Sequence, residues 1–282
     1  MRIAIAGYKG FIGGNMKEYF SSNELVLLRR DEVYGRTEDL AKKLEKVDVV
    51  LNFAGYPVLK RWSGKNRKRI EDSRILFTKK LVYAINTMEQ PPGQFVCASA
   101  IGIYSYGECH DEKSQKYGSG FLASVVQRWE SSLKDLKPGV VVSIIRIGLV
   151  TGNDGGAFPR LKKLTKWGLG AILGSGKQFY SFVHIEDLMR GVDFIISHQL
   201  EGVFNLTTSN PVTNETFTGK LATMMHRPLI FWIPGFVMRL VYGESAQILI
   251  QGHKVLPVAL KEKGFTFTFE NIEEVYRDLL RE

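Results

Sequence analysis

Gly7, Gly10 and Gly13, spaced GxxGxxG, come directly after a short apolar run built on Ile3 and Ile5. That run is too short for a membrane span and suits a buried strand. A helical pattern from Phe11 to Phe20 and a second strand pattern from Glu24 to Leu28 follow, so Met1 to Arg30 reads as strand, glycine turn, helix, strand. Such a turn brings backbone N–H groups against a pyrophosphate, and a side chain at a glycine position would obstruct either the tight turn or the close approach. The helix aims free N–H groups and the positive end of its dipole at the same phosphates. Glycine turns also serve as plain punctuation, but here the flanking strands and helix meet the requirement for a dinucleotide site. The candidate contacts are Gly7, Lys9, Gly10, Phe11, Ile12 and Gly13.

Which dinucleotide is favoured depends on the end of the second strand. An acidic residue is expected about 20 residues after the motif if a ribose 2′-hydroxyl is to be held. Arg29 and Arg30 stand there instead, and guanidinium forks suit a 2′-phosphate. Lys9 adds positive charge from within the turn. NADP(H) is therefore expected over NAD(H), with Asp31 left as a candidate for the acidic role.

A chain of 282 residues accommodates one large α/β domain, or a domain with a smaller lobe. The formal charge of +9 is dispersed, with much of the excess between Lys60 and Lys80. No zinc pattern or aromatic RNA-binding signature accompanies it, so a basic surface, or a site for an anionic cofactor and substrate, is expected rather than nucleic acid. Cys97 and Cys109 form no CxxC, which predicts reduced thiols and a cytoplasmic setting. The first apolar stretch is interrupted by Gly7 and Lys9 and lacks a small-residue cleavage site, so no secretory signal is expected. Five scattered histidines without HxxxH or HExxH predict no metal site.

Further along, a short helix is expected over Thr37 to Leu44, with any third strand, near Val33, necessarily short. Val47 to Phe53 reads as a buried strand ending in the small residues Ala54 and Gly55, which lets a ligand lie across its carboxyl end. The loop Lys60-Arg61-Trp62 is either a solvated loop or an active-site rim. In the helix from Asn66 to Met88, Ile70, Phe77, Leu81 and Ile85 form the apolar face. Arg74 shares that face and needs a ligand or a partner such as Glu71. The strand Gln94 to Ala98 leads to Ser99, with Tyr104 close behind, at the edge where open α/β sheets place ligands. Both hydroxyls can donate to a carbonyl and relay protons.

A helix from Phe121 to Leu136 and a strand from Val140 to Ile147 follow. Gly152, Gly155 and Gly156, with Gly168, Gly170, Gly174 and Gly176, suit a second phosphate cradle or a substrate-lobe loop. His184 and Asp187, between a strand (Phe179 to His184) and a helix, are expected to share a structural hydrogen bond. The apolar run Leu229 to Met238 is expected to be a packed helix start, with a membrane-surface or partner patch as the alternative. Ile272 to Leu280 reads as an amphipathic helix.

These stretches together resemble the extended short-chain dehydrogenase/reductase superfamily, and within it the atypical, NAD-dependent epimerase/dehydratase-like "epimerase family proteins" that end in a small C-terminal module. The resemblance rests on Gly7-Tyr-Lys-Gly-Phe-Ile-Gly13, Asn52-Phe-Ala-Gly55 with Lys60-Arg-Trp62, Asp72-Ser-Arg74 and Ala98-Ser-Ala-Ile-Gly102. Gly174-Ser-Gly-Lys-Gln178 with His184-Ile-Glu-Asp187, Asn205-Leu-Thr with Asn210-Pro-Val-Thr-Asn214, Val255-Leu-Pro257 and Gly264-Phe-Thr-Phe267 extend it across the chain. It implies an α/β fold, a Rossmann-like doubly wound parallel sheet with a smaller C-terminal α+β substrate lobe. Residues 1–150 and 178–207 would form the NADP-binding domain, and 151–177 with 208–282 the lobe and C-terminal module. It also implies cofactor contacts from Asn52, Ala54, Gly55, Arg74, Ala98 and Ser99.

The superfamily's Tyr–Lys catalytic pair would fall on Leu122 and Val126, neither of which moves a proton. Two functions follow from the resemblance. One is an epimerase or reductase of unknown small-molecule substrate, with Tyr104 as substitute acid, Ser99 as its companion and Arg74 favouring the tyrosinate. The other is a non-catalytic NADP-binding sensor or partner-binding regulator, as the cell-division-inhibitor label of some relatives suggests. A homodimer through the sheet's flanking helices is a further expectation.

Overall fold

The computed structural model describes residues 1–281. The N-terminal part alternates strand and helix: β1 (Arg2–Ala6), α1 (Phe11–Tyr19), β2 (Glu24–Leu28), α2 (Arg30–Tyr34), α3 (Thr37–Lys43), β3 (Val49–Asn52), α4 (Gly64–Glu71), a π-helical turn (Asp72–Leu76), α5 (Phe77–Thr87) and β4 (Gln94–Ala100). A 3-10 turn (Ile101–Ile103) leads to β5 (Cys109–His110), α6 (Phe121–Ser131), β6 (Val141–Ile147), β7 (Leu149–Thr151), α7 (Phe158–Lys166), β8 (Ala171–Leu173), β9 (Phe179–Tyr180), β10 (Phe182–His184), α8 (Ile185–Ser197) and β11 (Gly202–Leu206). The chain closes with β12 (Val212–Thr213), α9 (Asn214–Met224), β13 (Phe231–Ile233), α10 (Gly235–Tyr242), α11 (Gln247–Ile250), β14 (Lys254–Val255), α12 (Val258–Glu262) and α13 (Ile272–Leu279).

Six strands form one parallel sheet in the order β11-β6-β4-β3-β1-β2. All four residues of β3 are buried, as expected of a strand covered by helices on both faces. The chain runs outward from β1 to β2 and then crosses back to β3, so the crevice between the carboxyl ends of β1 and β3 is the switch point where such sheets bind ligands. The fold is the expected Rossmann-like one.

The third strand near Val33 does not form. Arg29 begins α2 directly, its N–H donating to Glu32 Oε2 at 2.7 Å, and Val33 is buried as a helical residue. Acidic Asp31 and Glu32 in the first turn favour the helix. The long helix expected from Asn66 to Met88 starts at Gly64 and is interrupted by the π-turn at Asp72–Leu76. Such bulges are rare and concentrate at functional sites. This one ties Ser73 to the chain leaving β3: Tyr56 N–H donates to Ser73 Oγ at 2.9 Å.

A second core gathers Phe158, Phe182, Phe217, Leu221 and one face of α13, where Tyr276 donates its hydroxyl to Phe217 O at 2.8 Å. The last third of the chain is not confined to that lobe, because Leu260, Phe265 and Phe267 pack into the core under the main sheet. The expected His184–Asp187 hydrogen bond is absent. Asp187, fully buried, accepts from the N–H groups of Thr268 and Phe269 at 2.9 and 2.8 Å and from Arg190 at 2.6 Å. His184 accepts from Glu186 N–H at 3.2 Å and turns Nε2 to within 3.3 Å of Asp278. Both residues fasten the C-terminal segment, whose unpaired N–H groups capture the carboxylate.

The segment Leu229 to Met238 also departs from expectation. It forms β13, paired with β8, and then α10, and it leaves large apolar side chains exposed, because no further element among the described residues covers that two-stranded sheet. No helix among the described residues is long and apolar enough to cross a membrane.

Candidate functional site

At the glycine turn the three glycines have separate duties. Gly7 has φ +84°, and a Cβ there would lie 2.5 Å from Phe53 O; at Gly13 a Cβ would lie 2.2 Å from Gly7 O. These two shape the turn and its seat on β3. At Gly10 a Cβ would meet only Gly7 O, at 3.3 Å, so the space beyond it is open. Gly10 is also the N-cap of α1 and brings no capping side chain, which leaves the first N–H groups of the helix directed at that space. The residues present thus fit a pyrophosphate. Phe11 turns the other way, against the loop after β7: Cβ atoms at Gly152 and Gly155 would lie 2.9 and 2.6 Å from its ring. Those glycines make room for an aromatic ring, which corrects the reading of a phosphate cradle at Gly152 and Gly155.

At the ribose end, Arg29 is engaged by Asp31 and Glu32 at 3.2 and 3.3 Å, so Asp31 is itself occupied by an arginine. Arg30 is exposed, 5.4 Å from the centre of the Tyr34 ring, and Lys9 lies 5.8 Å from that of Tyr8. Neither Arg30 nor Lys9 forms an ion pair with a carboxylate among the described residues.

Beside β3, Asn52 is buried and spends its amide internally, donating to Thr78 Oγ1 at 2.9 Å and accepting from Ala54 N–H at 3.3 Å. It therefore shapes the Ala54–Gly55 bend. Arg74 reaches that bend from the π-turn, donating to Tyr56 O at 3.0 Å and lying 5.3 Å from the Trp129 ring centre. A Cβ on Gly55 would stand 3.0 Å from Arg74 Nη2, so the glycine admits the guanidinium. Glu71, the expected partner, pairs instead with Arg128 at 2.6 Å. Burial pulls the Arg74 pKa down to about 10, the mark of a cation enclosed without a compensating carboxylate.

The third part of the site is a chain of polar groups at the carboxyl ends of β4, β6 and β11. Strand register sets Ser99, Arg146 and Asn205 in one row. Glu130 reaches that row from α6, while Ala98 is buried one residue before it. Ser99 Oγ donates to Glu130 Oε1 at 2.6 Å, and Arg146 grips the same carboxylate with both prongs, Nε at 2.8 Å and Nη2 at 2.7 Å. Arg146 Nη1 donates to the Tyr104 hydroxyl at 2.8 Å, which donates to Asn205 Oδ1 at 3.0 Å. The fork to Glu130 raises the Arg146 pKa despite burial, so the cation is permanent.

Tyr104 is therefore not the substitute acid expected. It is fully buried, stacked on His110 at 4.9 Å, and its hydroxyl is committed at both ends. The cation beside it is Arg146 rather than Arg74, and burial raises its pKa in spite of that charge. Leu122 faces Gly102, where a Cβ would meet its Cδ2 at 3.4 Å, and Val126 is buried with Ile103, Tyr104 and Val255. Glu130 and Arg146 escaped the sequence reading, and Asn205 entered it as part of a family motif without a role. The available signals were an arginine inside the apolar strand Val140 to Ile147 and a glutamate one helical turn beyond Val126.

A cleft of about 500 Å³ opens nearby, between Phe121 at the start of α6 and Arg239, Glu244 and Gln247 of the C-terminal segment. Arg67 of α4 pairs with Glu244, and Trp62 turns inward against Phe121 with ring centres 5.0 Å apart. Among the described residues no group of three or more His, Cys, Asp or Glu side chains is placed to hold a metal ion.

Residues 3–207 match the model of the NAD dependent epimerase/dehydratase family. The chain belongs to that family. Residues 233–279 match a separate domain of unknown function. An epimerase family protein of Staphylococcus haemolyticus is 33% identical over 98% of this chain and 98% of its own length. A chloroplastic epimerase family protein of Arabidopsis thaliana is 31% identical over 100% of this chain and 87% of its own. The human epimerase family protein SDR39U1, whose crystal structure contains NADPH, superposes with a TM-score of 0.92 at 27% identity, covering 99% of both chains. The protein is thus an NAD(P)-binding member of the epimerase group, built on a short-chain dehydrogenase fold.

Proposed function

We propose that this family member is an NADP(H)-dependent oxidoreductase or epimerase in which Ser99 and Glu130 handle the proton that a Tyr–Lys pair moves elsewhere in the superfamily. The observation that carries the reading is the 2.6 Å hydrogen bond from Ser99 Oγ to Glu130, at the sheet edge where ligands of this fold bind. The open face at Gly10 and the N–H groups of Phe11 and Ile12 would hold the pyrophosphate, and Arg74 beside Gly55 would supply positive charge. Arg30 and Lys9, free of carboxylates, would meet a 2′-phosphate, with Arg29 secondary because Asp31 and Glu32 already neutralise it. NADP(H), when bound, supplies a donor or acceptor of hydride.

Ser99 Oγ takes a proton from a substrate hydroxyl as it passes its own to Glu130, and the reverse transfer protonates a carbonyl oxygen. Arg146 holds the carboxylate in a fixed fork, and Tyr104 and Asn205 hold Arg146. The test is NADPH consumption against a panel of carbonyl and sugar-nucleotide compounds. Ser99→Ala and Glu130→Gln, each assayed at a temperature where circular dichroism shows it folded, should lower kcat by about a hundredfold while leaving NADPH affinity near that of the parent. Wild-type turnover in both variants would refute the assignment. A second reading, a non-catalytic NADP-binding regulator, is supported by the apolar Leu122 and Val126; tight cofactor binding with no turnover on any compound would favour it.

A further inference from the structure

One face of the C-terminal lobe presents large apolar side chains that nothing among the described residues covers. Trp167 and Leu169 follow α7, Ile230 and Trp232 lie on and beside β13, and Phe236 and Leu240 project from α10. Trp167, Ile230, Phe236 and Leu240 are 73%, 73%, 72% and 76% exposed, far beyond what scattered surface residues need. The segments are contiguous: β8 and β13 pair in parallel, a Cβ on Gly170 would lie 3.5 Å from Leu229 Cδ1, and α10 follows β13 directly. The Trp232 indole N–H donates to Gly174 O, so its polar atom is satisfied within the chain.

The charges carried by the segments that form this face have one sign, with Glu215 and Glu244 standing at their ends. No acidic residue occurs between Asp154 and Glu186 or between Glu215 and Glu244, whereas Arg160, Lys163, Lys166, Arg227 and Arg239 are basic and exposed. The complement of protruding tryptophan, phenylalanine and leucine on segments whose own charges are basic is an apolar interior beneath a negatively charged surface. A second copy is a poor fit, since a two-fold contact would set Lys163 and Lys166 near their own counterparts. We infer that this face seats the protein on an anionic membrane surface, with the aromatic side chains at headgroup level and the basic rim against lipid phosphates.

The test is flotation of the full chain with phosphatidylcholine vesicles, with and without phosphatidylglycerol, at low and high salt. Salt-sensitive binding to the phosphatidylglycerol vesicles is expected. It should weaken by about tenfold or more in Lys163→Glu/Lys166→Glu and in Trp167→Ser/Phe236→Ser, whose side chains are exposed so that the fold persists. Circular dichroism and NADPH binding would verify folding of each variant. Equal binding by parent and variants would reduce the effect to general positive charge and overturn the inference. Failure to bind either vesicle would overturn it too, as would a parent dimer that becomes monomeric in the variants without any vesicle binding, which would assign the face to a second copy.

Discussion

Removing the Glu130 carboxylate should be among the most damaging single changes to this fold. Glu130→Ala deletes both prongs of the Arg146 fork and the acceptor of Ser99 Oγ, leaving a guanidinium only 3% exposed with the Tyr104 hydroxyl as its remaining side-chain partner. Each hydrogen bond to a charged group is worth about 1.5–3 kcal/mol. Relaxation of the freed arginine reduces that total, and breaking a buried pair from one side typically costs about 3–5 kcal/mol. The loss predicted for Glu130→Ala is therefore about 3–5 kcal/mol, read from urea midpoints at unchanged m-value. Because the cost comes from the stranded charge, the double variant Glu130→Leu/Arg146→Met should recover most of it. As a control, Glu71→Ala, which breaks the more exposed pair with Arg128, should cost less than about 1 kcal/mol. A loss below about 1 kcal/mol for Glu130→Ala, or a double variant less stable than either single one, would refute the reasoning.

Gly10→Ala should leave the fold intact and weaken NADPH and NADH alike, whereas Gly13→Ala, whose methyl would lie 2.2 Å from Gly7 O, should lower the unfolding temperature as well. Calorimetry and nucleotide titration on the two variants separate these effects. Arg30→Ala should weaken NADPH by about 1.5–3 kcal/mol and spare NADH. Arg29→Ala should do less to NADPH because Asp31 and Glu32 already hold that guanidinium, and an equal loss for both cofactors in Arg30→Ala would remove the 2′-phosphate assignment. His253 is pulled down to about 4 by burial, against the ordinary 6.5, with the carbonyl of Ser105 3.3 Å from its Nδ1. The unfolded chain then binds the extra proton between those values, so stability is fully present above pH 6.5 and falls as pH drops toward 4. Urea midpoints across that window should show a contribution of about 3 kcal/mol that His253→Gln lacks, and an identical pH profile in the variant would contradict it.

The parts of the site that were readable from the chain are those written in consecutive residues. Gly7, Gly10 and Gly13 announce a turn because backbone conformation and close approach impose themselves locally, and Ser99 stands out because a strand end precedes it. Arg74 was marked by a charge on an apolar helix face, although the partner suggested by helical spacing, Glu71, belongs to Arg128. Glu130, Arg146 and Asn205 were not readable as one group, since only the register of β4, β6 and β11 brings them together. Nearness in sequence misled at His184 and Asp187, which bond other neighbours and reach partners about 80 or more residues away in the C-terminal segment. Tyr104 misled for a similar reason: its position beyond a strand end suggested access to ligand, and the packing of His110 and Val255 over it was invisible.

The central claim is an NADP(H) site formed by the open face at Gly10 and the cations at Arg30 and Lys9, and equilibrium titration of the purified protein with NADPH and with NADH tests it most directly. Fluorescence of the bound nucleotide should report saturable binding of both, with NADPH tighter by about tenfold or more, the equivalent of one charged hydrogen bond to the 2′-phosphate. Binding of neither nucleotide, or a preference for NADH, would contradict the account.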